Sequence, residues 1–292
     1  MECYFILGKG GVGKSTISIL KALAFVQNEK RVTLISLDQA HNLFDIIGQT
    51  KNQLPKTLRI FEPDIEQFIK KYLQQSEQLL QKNYRYLTSL NLEHHFKVLK
   101  QTPGLEEYGL LLAFQYFFNK GEAKADVLIF DMPPTAVALK FFSLPFVSVV
   151  WLEQLLKLRN EILEKKEIIS KVKFGRKKIE TDAIKKNLEQ QLIRYQQLAD
   201  LFRNRKNCKI VLVANPDSIS LAESQRIGKQ LTDLNIPVSQ FYLNKNKALK
   251  QPVADFSLIS GAELRKLPES DKTLIGLPEL MDFSRENFSD LI

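Results

Sequence analysis

Cysteine is nearly absent from this chain of 292 residues, which holds only Cys3 and Cys208. No CxxC pair and no Cys/His cluster occurs, so neither a disulfide framework nor a structural zinc site is expected. Both thiols lie in apolar runs that suit buried side chains. Methionine is almost as scarce: Met1, Met132 and Met281 are the only three, and none lies in 151–209. That argues against a methionine-lined surface of the kind that adapts to varied apolar ligands. Internal repeats and low-complexity tracts are missing, and the N-terminus shows no basic-then-apolar leader. The most apolar region, 127–156, is interrupted by Asp131, Pro133, Pro134, Lys140, Pro145 and Glu153, and reads as a poor membrane span. Together these absences predict a cytoplasmic protein with reduced thiols.

What is present starts with an apolar fraction of 44%, enough for a large core. The net charge of +9 is local, because 151–209 holds sixteen Lys or Arg against eight Asp or Glu. Such an excess is either the solvated face of lysine-rich helices or a surface for an acidic partner or an anionic membrane. No nucleic-acid partner is expected.

The chain is organised around Gly8-Lys9-Gly10-Gly11-Val12-Gly13-Lys14-Ser15-Thr16. An apolar run, Cys3 to Leu7, precedes it and reads as a buried strand. Ile17, Ile19, Leu20, Leu23, Ala24 and Val26 follow at helical spacing. Strand, glycine-rich loop and helix fit G-x-x-x-x-G-K-[ST], with Gly8, Gly13, Lys14 and Ser15 in register. In that pattern the loop N–H groups and the helix start cradle a polyphosphate. Lys14 is then expected to neutralise phosphate charge, and Ser15 to ligate Mg2+.

Two further strands end in an acid on the same rim: Arg31 to Asp38, and Val127 to Asp131. An acid at such a strand end can hold Mg2+ directly or through water. Leu58 to Glu62 reads as a strand at a sheet edge. Residues 63–124 turn helical, with Leu87 and Leu90 extending the apolar stripe of Ile65, Phe68, Ile69, Tyr72 and Leu73. Trp151 to Asn207 reads as two helices joined by a basic linker, 171–178. Lys209 to Ala214 and Val238 to Asn244 return to strands, and Thr273 to Leu280 reads as a last strand and turn.

The spelling GKGGVGKS, with a second lysine at the loop's crown, resembles the deviant phosphate loop of one ATPase family. Its members include the arsenite-pump ATPase, the tail-anchored-protein targeting ATPase, MinD/ParA and the nitrogenase iron protein. Asp38-Gln39-Ala40-His41-Asn42-Leu43-Phe44-Asp45 is similar to the DPAHSLSD switch of the arsenite-pump and targeting branch. Asp131-Met132-Pro133-Pro134-Thr135 is similar to its DTAPTGHT switch, with Ala136 and Val137 replacing the Gly-His pair. Leu139 to Pro145, Arg159-Asn160, and Pro216, Ser220, Leu221, Glu223 and Arg226 match in order.

The resemblance implies an ATP-dependent homodimer. In it Asp38 orients the attacking water, and Lys9 reaches the partner's nucleotide. Lys14 and the loop from Gly8 through Gly10, Gly11, Val12 and Gly13 to Thr16 bind phosphates, and Ser15 and Asp131 serve Mg2+. Asn244 reads adenine, and the Leu277-Pro278-Glu279 turn covers the base. The implied fold is α/β, a mostly parallel P-loop core (1–62, 126–145 and 209–292) flanked by helices, with an inserted helical lobe (63–125 and 146–208). The lobe is expected to bind a hydrophobic protein client under nucleotide control. Two alternatives stay open: a positioning ATPase that docks on an anionic membrane or a partner, and a nucleotide-binding module of low turnover. Metalloid transport ranks last, since the two cysteines are distant in the chain.

Overall fold

A computed structural model describes residues 1–40, 42–83, 104–121, 125–174, 182–246 and 261–288. Among the described residues seven strands are present: β1 (Glu2–Gly8), β2 (Val32–Ser36), β3 (Leu58–Phe61), β4 (Val127–Asp131), β5 (Cys208–Ala214), β6 (Val238–Leu243) and β7 (Glu263–Lys266). Between and after them lie α1 (Lys14–Gln27), α2 (Leu43–Ile47), α3 (Ile65–Asn83) and α4 (Leu105–Gly121). The remaining helices are α5 (Thr135–Phe174), α6 (Ala183–Arg203), α7 (Ser218–Asp233) and α8 (Leu277–Phe288). His41, Leu87, Leu90 and 175–178 of the basic linker lie outside the described residues.

The strands form one sheet in the order β3-β2-β4-β1-β5-β6-β7, and every pairing is parallel. A parallel sheet is covered on both faces, which is why its inner strands are continuous apolar runs. All five residues of β2 and all five of β4 are buried. Side chains alternate between faces along each strand. On one face Ile6, Leu34, Ile129 and Val213 meet Ile17, Leu20 and Leu23 of α1, and Leu280 and Phe288 of α8. Another cluster joins Phe5 to Phe130 at 5.1 Å between ring centroids, with Phe114 of α4 at 5.1 Å from Phe130 and Phe141 of α5 at 5.8 Å from Phe114. Each such ring, fully buried, stabilises the fold by about 1.5–3 kcal/mol.

Register decides what the rim of the sheet holds. Asp131 is opposite Ile6 on one side and Ser36 on the other, and Gly8 is opposite Val213. The same pairing makes Cys3 and Cys208 register partners on adjacent strands, both buried. The two thiols are therefore distant only in the chain. Burial holds the Cys208 thiol well above its ordinary range, so it stays protonated.

The structure departs from the sequence reading at the C-terminal end. The last strand is Glu263–Lys266, and Leu277–Phe288 is a helix rather than the end of a strand. The buried positions Leu277, Leu280, Ser284 and Phe288 follow one helical face. Gly276, at φ 92°, turns the chain into that helix, and the Leu277 N–H donates to Thr50 Oγ1 at 2.8 Å. β7 lies at the sheet edge, opposite β3. Its Glu-Leu-Arg-Lys sequence carries no buried apolar run to announce it.

The chain divides into two compact units, Met1–Phe141 with Arg205–Ile292, and Phe142–Asn204. Helices α3 and α4, expected in the helical lobe, lie in the unit of the sheet. The reason is packing: Phe114 of α4 belongs to the ring cluster on Phe5 and Phe130. The second unit has its own tie points. Phe142 and Phe202 rings stand 5.0 Å apart, and Arg159 donates to Asp182 at 2.6 Å. Asp182 also caps α6 by accepting from the Lys185 N–H, and Arg159 holds its carboxyl below the usual range.

Pro145 does not end a helix but sits inside α5, where it removes one main-chain donor. By length and composition Thr135–Ile169 is apolar enough to cross a membrane, so the interruptions that made 127–156 a poor span do not break the helix itself. Its first turns are nonetheless core: Ala138 and Phe141 are fully buried.

Candidate nucleotide site

β1 delivers the glycine-rich loop to the carboxyl rim of the sheet, where β4 and β5 flank it on opposite sides. In open parallel sheets, ligands bind at such a point. Gly8 takes φ 154°, and a Cβ there would stand 2.3 Å from the Val213 carbonyl oxygen of β5. Only glycine fits this approach. Gly13, at φ 91°, is the left-handed residue from which α1 starts, and its Cβ would lie 2.6 Å from Asn244 Nδ2. That amide donates to the Val12 carbonyl at 2.8 Å, and Val12 is buried, so the loop is fastened to β6 from its far end.

The start of α1 carries no side-chain cap and no acid in its first turn. Its first N–H groups and its dipole are left for an anion. Lys14, largely buried, donates from Nζ to the Lys9 carbonyl at 3.3 Å. Among the described residues no acceptor is recorded for the Lys9 ammonium, which is half-buried at the loop's crown.

Asp131 is the electrostatic centre of the rim. It accepts from Ser15 Oγ at 2.7 Å and from Ser18 Oγ at 3.2 Å. Burial pushes its carboxyl up to about 6, against the pull of Ser15 and Lys14, and the nearby Asp38 charge adds to the rise. A buried carboxylate bonded to the Ser15 hydroxyl fits the hard-oxygen ligand set that Mg2+ takes. Bound there, the ion would withdraw charge from a polyphosphate.

Asp38 stands at the end of β2 and accepts from the Ala40 N–H at 3.1 Å. It does not cap α2. Glu62 does, accepting from the N–H groups of Leu43 at 2.8 Å and Phe44 at 3.2 Å. Sequence reasoning missed that role, which depends on β3 lying beside β2. Asp38 instead lines a cavity of about 430 Å³ with Gly10, Gly11, Lys14, Ser15 and Pro134. Thr16 and Gly13 line both this cavity and a second of about 420 Å³, which also takes in Asn244. The second is walled by Pro268, Glu269 and Thr273.

The chain contains two Leu-Pro-Glu turns, at 267–269 and at 277–279. Pro268, directly after β7, shares the cavity with Asn244. Pro278 lines an adjoining cavity of about 460 Å³ and lies in the first turn of α8. The two cavities share 268–272.

A phosphate cradle, a buried acid bonded to the loop serine and a second acid across the cavity are thus assembled on one rim. The family description "Anion-transporting ATPase" matches residues 1–266. The chain belongs to this ATPase family. A chain of Aquifex aeolicus that carries the name arsenical pump-driving ATPase 2 provisionally is 25% identical, over 98% of each protein. An ATPase ASNA1 homolog of Entamoeba histolytica is 29% identical over 84% of this chain and 76% of the relative. ATPase GET3C of Arabidopsis thaliana is 25% identical over 94% of this chain and 75% of the relative. Membership makes the protein an ATP-hydrolysing enzyme, and hydrolysis of this type relies on positioning and charge neutralisation more than on covalent chemistry.

Proposed function

We propose that this ATPase is a homodimeric, cytoplasmic two-state switch that couples its nucleotide state to the binding of a hydrophobic protein client by the unit Phe142–Asn204. One observation carries the coupling. α5 starts at Thr135, next to Pro134 in the phosphate cavity, and continues as one helix through Phe174. In the second unit that helix exposes Val147, Trp151, Leu155, Leu158, Ile162 and Ile169. Their spacings of four, four, three, four and seven residues place them on one side of the helix. An exposed apolar stripe of this length marks a binding surface, and its spacing suits an apolar helix as occupant.

At the rim, Lys14 and the N–H groups of Gly10 to Thr16 hold the phosphates of ATP. Ser15 and Asp131 hold Mg2+, Asp38 orients the attacking water, and Lys9 reaches the nucleotide of the partner protomer. Asn244, with its Nδ2 already given to Val12, offers Oδ1 to the exocyclic amine of adenine. Pro268 closes that side of the base. The names of the relatives, an arsenical pump-driving ATPase among them, support the ATPase and leave the client open.

Capture of an apolar helical peptide by the purified protein, with and without ATP, tests the client. Binding to anionic vesicles instead, through the basic excess of 151–209, would turn the reading toward a membrane-docking ATPase. Sedimentation with a non-hydrolysable ATP analogue tests the dimer: Lys9→Ala is expected to weaken nucleotide-dependent association. Association unchanged by that substitution sinks the role given to Lys9.

A further inference from the structure

The motif running from Pro216 to Arg226 has so far been given no part in the chemistry, and most of it serves α7 itself. Asp217 caps the helix by accepting from the Ser220 N–H at 2.8 Å, and Ser220 Oγ accepts from the Asn215 N–H at 3.0 Å. Glu223 does something else. Its Oε1 accepts from Thr135 Oγ1 at 2.6 Å, a charge-assisted bond between α7 and the first residue of α5.

Thr135 is a distinctive place to be held. Between Asp131 and Lys140 its side chain is the only one able to donate a hydrogen bond, because the others are Met132, Pro133, Pro134, Ala136, Val137, Ala138 and Leu139. The prolines have no N–H. The Met132 N–H donates to Ile6 within the sheet, and those of Val137 and Ala138 donate to the Pro134 carbonyl. That leaves the N–H groups of Thr135 and Ala136, the orphan donors of a helix start, as those this loop can present to a terminal phosphate. Pro134, immediately before them, lines the cavity with Asp38 and Lys14. The loop is pinned at one end by Asp131, bonded to Ser15 and Ser18, and at the other by Thr135, bonded to Glu223.

We propose that Glu223 is a positioning residue for ATP hydrolysis: through its bond to Thr135 it sets where the Pro133–Ala136 loop stands over the phosphate cavity. The inference rests on the proposed function and adds to it that this loop, which reaches the phosphate cavity at Pro134, senses the terminal phosphate. A second pair, Lys140 with Glu107 of α4 at 2.8 Å, holds the next turn of α5, so loss of the Glu223 bond shifts the loop without unfastening the helix.

The test compares four single variants and one double variant in steady-state turnover. Glu223→Ala and Thr135→Val are expected to lower kcat about tenfold with KM within about twofold, the size set by one lost hydrogen bond. Glu223→Gln and Thr135→Ser, which keep an acceptor and a donor, are expected to retain most of kcat. The double variant Glu223→Ala with Thr135→Val is expected to be no worse than either single one, because both remove the same bond. Additive losses overturn the proposal, as does a Gln variant as impaired as the Ala variant. A lowered Tm with unchanged kcat also overturns it, since that is the signature of a purely structural contact. Amide hydrogen exchange keeps the outcome decisive if the wild type turns over too slowly to rank variants. Adding a non-hydrolysable ATP analogue should protect the amides of Thr135 and Ala136 in wild type and less so in Glu223→Ala. Equal protection in both overturns the positioning role, whereas no protection in the wild type, with nucleotide bound, overturns the phosphate-sensing loop itself.

Discussion

The two compact units treat apolar side chains in opposite ways. In the unit of the sheet they are consumed by the fold, with β2 and β4 buried at every residue and the phenylalanine cluster at Phe5, Phe114, Phe130 and Phe141 fully enclosed. In the unit Phe142–Asn204, α6 buries Leu198, Ala199 and Phe202, while α5 leaves Trp151 65% and Ile168 62% exposed. A parallel sheet must cover both faces. A helix needs only one stripe buried and can carry a second on its outer side. The first unit spends most of its apolar side chains on its own core, with Ile219 and Ile275 among the exceptions, and the second carries a continuous exposed stripe along one helix.

The largest expected effect would separate the rim from everything else. Asp38→Asn should lower ATP turnover by about a hundredfold or more while leaving ATP affinity near its wild-type value, as steady-state kinetics and a nucleotide titration would show. Turnover close to wild type means that Asp38 does not orient the water. Next, Phe114→Ala should destabilise the sheet unit by about 3–5 kcal/mol, because the ring fills the enclosed cluster. Far-UV circular dichroism in denaturant would follow both units, and the fluorescence of the single tryptophan, Trp151, would report on the second. If the two signals move together by the same amount, the units are not independent and the contrast between them fails.

Leu158→Asp with Ile162→Asp should weaken capture of an apolar helical peptide by more than about tenfold, the loss of two buried aliphatic anchors. Turnover should change by less than capture does. Capture that survives both charges places the client elsewhere.

A last effect concerns Lys21 of α1. Its ammonium donates to Gln240 at 3.0 Å and lies 4.5 Å from the Tyr4 ring centroid, with Phe25 and Tyr242 further out. Burial first, then the Arg265 and Lys209 charges, pull it down to about 7 against the opposing Glu263 and Glu2. The unfolded chain, with lysine near its ordinary 10.5, then binds more protons than the native state between those values. Stability should accordingly rise with pH across that window, and the charged lysine should cost stability below it. Lys21→Met should flatten this slope in denaturant titrations at pH 7 and pH 10. A slope unchanged by the substitution would assign the pH dependence to other groups.

Much of the rim is legible in the sequence because its signals are local. The loop is spelled by Gly8, Gly13, Lys14 and Ser15, and Asp38 and Asp131 each end an apolar run. β7 was not legible: an edge strand of Glu-Leu-Arg-Lys needs no apolar pattern, so a nearby apolar run was read as the last strand instead. The partners of Glu62 and Glu223 were hidden as well. Each glutamate acts on a residue distant in the chain, Leu43 and Thr135, and no periodicity links such partners.

By itself, then, the order of residues determined the phosphate loop, the acids that face it and the parallel α/β core, because glycine geometry and apolar periodicity act between near neighbours. The tertiary structure alone decided which carboxylate holds which donor, which of two identical turns stands beside Asn244, and that Cys3 and Cys208 are neighbours. Strand order and register set those pairings, and they are consequences of packing the whole sheet at once.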